Sequence, residues 1–191
     1  MMPAQNFISG PDKEWNEYKL VIEPPSALLK KISLYTGKLF NTSRPGETEI
    51  TIASFFAREE MEATLFRWLQ RICNLQQVFS LSIKNFECRP PHSVYLQLED
   101  VSPITSIGNQ VKMIEPYLKG SDCPPVEINQ APLLMVFKFP ENVFHEAREV
   151  FSGLPFEDRF TIDFLRMYKR KGDQNSFDLL SYFSLPEVAR Y

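Results

Sequence analysis

Glu49 and Thr51 stand two residues apart in the stretch Glu49-Ile50-Thr51-Ile52, just after a Pro/Gly loop. On a strand, side chains at i and i+2 point to one side, so this carboxylate and this hydroxyl would meet the same ligand. The carboxylate can accept a proton or hold a cation, and the hydroxyl can donate or accept a hydrogen bond. Such a pair suits a cationic or hydroxylated ligand, and Glu49 repels a phosphodiester. A second strand-like stretch, Pro132-Leu133-Leu134-Met135-Val136, also follows a Pro-rich loop, and its Leu133 lies 84 positions after Glu49. Leu133 and Met135 hold the equivalent i, i+2 places but cannot transfer a proton. Alternation puts Leu133, Met135 and Phe137 on one face, either lining a cleft or buried in a central strand. It puts Ala53 on the face of Glu49 and Thr51.

The other reactive side chains form no constellation. His92 lies in a Pro-rich turn and His145 on a helix beside Glu146, and neither falls in a motif. Lys169, Arg170 and Lys171 make a short basic run before Gly172, which reads as a solvated turn that could touch a phosphate backbone. Cys73, Cys88 and Cys123 are odd in number and lack a CxxC spacing, so neither a disulfide framework nor a zinc site is expected. No metal and no cofactor is expected. The cysteine usage fits a reducing, cytoplasmic setting. The net charge of −3 disfavours broad nucleic-acid binding. The longest apolar run, 131–137, is too short to span a bilayer, and the amino terminus does not read as a signal peptide.

Behind these residues the chain reads as alternating strands and helices. With 43% hydrophobic residues and 16 Phe in 191 positions it can build a packed core. Residues 1–17 are expected to be an irregular arm and 18–191 a single domain. Tyr18 to Glu23 reads as a strand, and Ser26 caps a helix carrying Leu28, Ile32, Tyr35 and Leu39 at helical spacing. Residues 41–47 read as a loop, Glu49 to Phe56 as a strand and Glu59 to Leu75 as an amphipathic helix with Met61, Leu65, Trp68, Leu69 and Ile72 in its stripe. Val78 to Phe86 and Ser93 to Glu99 read as a hairpin, and Ile104 to Ile114 as a helix that Pro116 ends or kinks. Residues 119–130 read as a loop. Leu133 to Phe139 is a strand, a helix follows with Val143, Phe144, Ala147, Val150 and Phe151, and Phe160 to Tyr168 and Phe177 to Leu185 are strands. Strand, helix and strand pair thus occur twice.

This order of elements, the Glu49-x-Thr51 strand, the Pro132-x-Leu134 strand and their separation resemble the 2H phosphoesterase superfamily, which includes bacterial 2′-5′ RNA ligase and cyclic phosphodiesterase proteins. The resemblance covers about residues 18–185. It implies an α+β, bilobal fold: two antiparallel sheets with outer helices around a central cleft. In that family each lobe contributes a His-x-Thr/Ser strand. The imidazoles act as general base and acid on a 2′,3′-cyclic phosphate or 2′-5′ linkage, the hydroxyls hold phosphate oxygens, and no metal takes part. Carried onto this chain, Glu49 and Leu133 occupy the histidine positions, Thr51 keeps one hydroxyl and Met135 replaces the other. Lys138 falls where the second motif often has a basic residue.

The resemblance therefore implies a catalytically degenerate member, with no catalytic residues, that uses its cleft to bind a small ligand, nucleotide or partner through Thr51, Lys138 and Glu49. Two alternatives stay open: an active phosphoesterase with an unorthodox site, and a purely structural interaction protein. No membrane association is expected.

Overall fold

The computed structural model describes residues 15–37, 44–45, 48–118, 123–172 and 174–187. Strands β1 (Trp15–Ile22), β3 (Ile50–Arg58), β6 (Glu127–Ile128), β9 (Phe164–Arg170) and β10 (Asp178–Ser184) form the sheet of lobe A, in the order β10-β9-β1-β3-β6. Strands β2 (Arg44–Pro45), β4 (Phe79–Arg89), β5 (Ser93–Glu99), β7 (Leu133–Lys138) and β8 (Glu157–Ile162) form the sheet of lobe B, in the order β2-β7-β5-β4-β8. Every pairing is antiparallel.

Helices cover one face of each sheet, because each helix has a single apolar stripe to bury. In lobe A, α2 (Glu62–Asn74), preceded by a 3-10 turn at Glu59–Met61, packs on β10, and α3 (Ser102–Met113) packs on β3 and β6. The buried side of α2 is Leu65, Leu69, Ile72 and Cys73. Helix α3 ends at Met113 and breaks at Ile114, two residues before Pro116, which lies in the first turn of the one-turn α4 (Glu115–Leu118). In lobe B, α5 (Glu141–Ser152) packs on β4. Helix α1 (Ser26–Gly37) joins β8 through Lys31, which reaches Asp158 at 2.7 Å. The carbonyl of Pro25 takes the first amides of α1, those of Leu28 and Leu29, so the start is set by main chain. The many phenylalanines do build packed layers: Phe151 stacks against Phe137 at 5.9 Å and tilts onto Phe86 at 4.9 Å.

The structure corrects the sequence reading at several places. The expected strand over 160–168 is two strands, β8 and β9, which lie in different sheets. Apolar alternation runs through Phe160 and Ile162, then changes phase to Leu165 and Met167, so the break falls at Asp163. The carbonyl of Asp163 accepts from the amide of Leu185 at the end of β10. Each lobe is therefore built from both halves of the sequence. The segments expected as loops contain β2 and β6, each only two residues long. Residues 15–17, expected in the arm, begin β1. β4 runs on to Arg89, shortening the hairpin turn. Leu39 lies outside the described residues.

The basic run at 169–171 is not a free patch. Lys169 is buried on the helix side of β9, where it pairs with Glu62 and, at 3.1 Å, with Glu59. Lys171 reaches Glu59 at 3.7 Å and Arg170 pairs with Glu17 on the other face. Glu62 also accepts from the hydroxyl of fully buried Tyr18 at 2.8 Å, and Tyr18 stacks on Phe55 at 5.7 Å. Burial first, then the hydrogen bond and charge of Glu62, push the Tyr18 hydroxyl well above the ordinary tyrosine value. The folded state thus holds the Tyr18 proton more tightly than the unfolded chain does. Its stabilising contribution is complete below about pH 10 and is lost as pH rises from there toward the folded value. Denaturant midpoints measured against pH should fall steeply above about pH 10, and less steeply in Tyr18→Phe, which at neutral pH should lose only about 1 kcal/mol.

Candidate functional site

β3 approaches β7 between the two lobes. Glu49 immediately precedes β3, Thr51 is its second residue, and Leu133 and Met135 lie at the start of β7. All four are half-buried, between the fully buried Ile50, Ile52, Leu134 and Val136.

The two strands share one irregularity. In β3, Thr51 pairs with Val21 and Ala53 with Leu20, so Ile52 is an extra residue. In β7, Met135 pairs with Tyr95 and Phe137 with Val94, so Val136 is an extra residue. These are β-bulges, which re-aim the side chains that follow them. Burial runs buried, half-buried, buried, buried from Ile50 and again from Leu134. The short edge strands dock in the same way: β6 on Ala53 and Ser54, β2 on Phe137 and Lys138. Every one of these matches uses the offset of 84 that separates Glu49 from Leu133.

The bulges also correct the face assignments made from simple alternation. Ala53 does not stay with Thr51 but is fully buried, and Phe137 does not stay with Met135 but packs on Phe151 of α5. By the same phase change, exposed Lys138 returns to the face of Leu133 and Met135. Asn129 holds the first bulge, its side chain donating to the Thr51 carbonyl and its amide to the Ile52 carbonyl, both at 3.0 Å.

Around the first pair the sheet face is charged. Lys19 on β1 donates to Glu49 at 2.9 Å and lies 4.1 Å from the centre of the Phe177 ring. Arg170 sits 4.8 Å from the same ring. Arg166 and Tyr168 both donate to Glu23. Burial, and the nearby charge of Glu49, raise the Tyr168 hydroxyl above its ordinary value against the opposing pull of Arg166. A cavity of about 430 Å³ opens here, lined by Lys19, Glu23, Thr48, Glu49, Asn175 and Phe177. The cations of this face are thus largely matched by its own carboxylates. Around the second pair, Tyr95 lies opposite Met135 and Gln97 opposite Leu133, both on β5. That face is only half-buried at Leu133 and Met135.

Neither histidine joins the site. His92 closes the β4–β5 turn, its ring edge-on to Phe144 at 5.5 Å, and His145 is exposed on α5 beside Glu149. Sequence reading missed Lys19, Glu23, Arg166, Tyr168, Asn129 and Phe177. Lys19 had a signal, since it alternates with Tyr18 and Leu20; Arg166, Tyr168 and Arg170 also alternate, at i, i+2 and i+4. Asn129 and Phe177 had none, because loop and edge positions acquire their neighbours only on folding.

No protein-family model and no curated protein matches the sequence. Solved structures do match. Apo LigT of E. coli superposes with a TM-score of 0.66 at 17% identity, covering 91% of this chain and 99% of that one. A phosphoesterase structure gives 0.64 at 15% identity, covering 90% and 98%. TT0787 of Thermus thermophilus gives 0.58 at 12% identity, covering 90% and 98%. LigT has also been solved with 3′-AMP, NADP+ and ATP. The bilobal fold that the sequence led us to expect is the fold of this chain.

The Lys19–Glu49 pair makes a direct electrostatic prediction. Removing the carboxylate frees a cation and removes a repulsion worth on the order of 1 kcal/mol at a solvent-facing site. Glu49→Gln should therefore bind inorganic phosphate about fivefold more tightly than the parent by calorimetric titration; an unchanged affinity would mean that Glu49 does not face the anion.

Proposed function

We propose that this chain is a 2′-5′ RNA ligase-like member of the 2H phosphoesterase superfamily that has lost the two-histidine chemistry and uses its cleft to bind a small ligand or nucleotide. One observation carries the reading. The offset of 84 relates the bulge, the burial phase and the edge-strand docking of β3 to those of β7, so Glu49-x-Thr51 and Leu133-x-Met135 occupy equivalent places in the two lobes. These are the two places from which the family's catalytic pairs would project.

The chemistry available there falls short of acid–base catalysis. Cleavage of a cyclic phosphate needs one group to take a proton from the attacking water and another to give one to the leaving oxygen. Histidine suits both roles because it titrates near neutrality. Leu133 can do neither, and Glu49 is held by Lys19. Losing one general acid or base typically removes about 10²–10⁴-fold in rate. What remains suits binding: the Thr51 hydroxyl, Lys138, the Lys19–Glu49 pair, and Phe177 as an aromatic wall. Phosphate-bearing molecules fit this inventory only weakly beside the Glu49 carboxylate. The LigT complexes with 3′-AMP, NADP+ and ATP make nucleotides the first class to try.

Two measurements test the proposal. Purified protein should show no hydrolysis of 2′,3′-cyclic nucleotides and no 2′-5′ ligation above background; turnover that disappeared in Thr51→Ala would overturn the loss of activity. The triple variant Glu49→His, Leu133→His, Met135→Thr should melt close to the parent. Leu133 and Met135 are only half-buried, so the unsatisfied-polar cost of about 1–3 kcal/mol per group does not apply in full. It should also gain cyclic phosphodiesterase activity. A stable triple variant without activity would contradict the equivalence of the two slots.

A further inference from the structure

The outer face of lobe A carries a groove that the cleft does not use. It lies between α2 and the α3–α4 segment and has a volume of about 290 Å³. Its floor is Ile72 and Ile114, both buried. Its rim is Trp68, Leu75, Met113 and Tyr117, of which Leu75, Met113 and Tyr117 are 71%, 73% and 61% exposed. Trp68 and Tyr117 stack across the groove with ring centres 5.3 Å apart. Large apolar side chains exposed singly are ordinary, but a concave cluster of them marks an interaction surface. Here three such residues from two separate helical segments converge on one hollow.

The groove runs into a second hollow of about 280 Å³, lined by Thr64, Arg67, Trp68 and Arg71. Arg71 lies over the Trp68 ring at 5.6 Å, and Arg67 donates to the Ala63 carbonyl at 3.2 Å and to the Thr64 hydroxyl at 3.3 Å. Among the described residues neither arginine has a carboxylate partner. This contrasts with the sheet, where Lys19, Arg166, Lys169 and Arg170 all do. The acidic residue of α2, Glu62, is turned to Lys169 and Tyr18. An apolar groove therefore continues into a basic hollow with uncompensated charge.

We propose that this groove docks an amphipathic helical segment of an acidic partner protein, with its apolar side chains against Met113 and Tyr117 and its carboxylates in the Arg67–Arg71 hollow. A trough between two helices takes a third helix by apolar residues at i, i+3, i+4 and i+7, while charge at the rim sets its orientation. A second copy of this chain fits less well, because a symmetric contact would set Arg67 and Arg71 near their own copies. A nucleic acid fits less well too, because two cations beside an apolar trough release few counterions.

Trp68 provides the readout, since the other tryptophan, Trp15, lies beneath Arg58 on the cleft face and can be replaced. In a Trp15→Phe background, Trp68 emission is titrated with three synthetic four-turn peptides. The first carries Leu at i, i+3, i+4 and i+7 with Glu elsewhere; the second replaces Glu by Lys; the third replaces Leu by Ala. The first should saturate, the second should bind at least about fivefold more weakly, and the third should not saturate. Arg67→Glu with Arg71→Glu should reverse the preference between the first two. Met113→Asp should abolish binding while its melting curve matches the parent's, because Met113 is exposed. Equal affinity for the acidic and basic peptides would overturn the proposal. So would saturation by none of them, or self-association of the parent in sedimentation that Met113→Asp removes.

Discussion

One extra residue in each of two central strands sets the geometry on which the cleft depends. A regular strand would keep Glu49, Thr51 and Ala53 on one face and Leu133, Met135 and Phe137 on another. The bulges at Ile52 and Val136 break that rule immediately after the second residue of each pair. Two residues are presented to the cleft, and the chain then returns at once to the core with Ala53 and Phe137. This lets strands that hydrogen-bond on both sides still offer a short pair of half-buried side chains at one end. The bulge carbonyls need partners, and on β3 Asn129 supplies them.

The same scaffold sets the charge balance of the cleft. Lobe A presents cations to it, but they are matched within the chain: Lys19 by Glu49, Arg166 by Glu23, Arg170 by Glu17. Ion pairs at such half-buried sites hold side chains in place more than they stabilise the fold. Lobe B answers with Leu133 and Met135 flanked by Tyr95 and Gln97. The buried network of Tyr18, Glu62 and Lys169 ties β1, β9 and α2 together behind this face.

Much of the fold was legible because alternation and helical spacing are local. The alternation of Tyr18, Leu20 and Ile22 gives β1, and the Leu65, Leu69, Ile72 stripe gives α2. The offset of 84 that relates the bulge of β3 to that of β7 is the spacing of Glu49 and Leu133 in the sequence. Three things were not. The split at Asp163 is a phase change of one residue, and only tertiary structure sends the two strands to different sheets. The short strands β2 and β6 lie in Pro-rich segments whose composition reads as loop, because two residues are too few to show a period. The bulges leave no mark in composition either, so simple alternation kept Phe137 on the face of Leu133 and Met135. At the site, Lys19 and Arg166 were visible as charged members of alternating strands, but their partners Glu49 and Glu23 are set by folding.

The central claim is that Glu49-x-Thr51 and Leu133-x-Met135 line one shared cleft that binds rather than converts its ligand. Methyl resonances of Thr51 and Met135, followed during titration with a nucleoside monophosphate, test it most directly. The account predicts that both move along a single binding isotherm while the methyl of Met113 on the opposite face stays still, and that the ligand is recovered unchanged. Movement of only one of the two, or two separate isotherms, would contradict it.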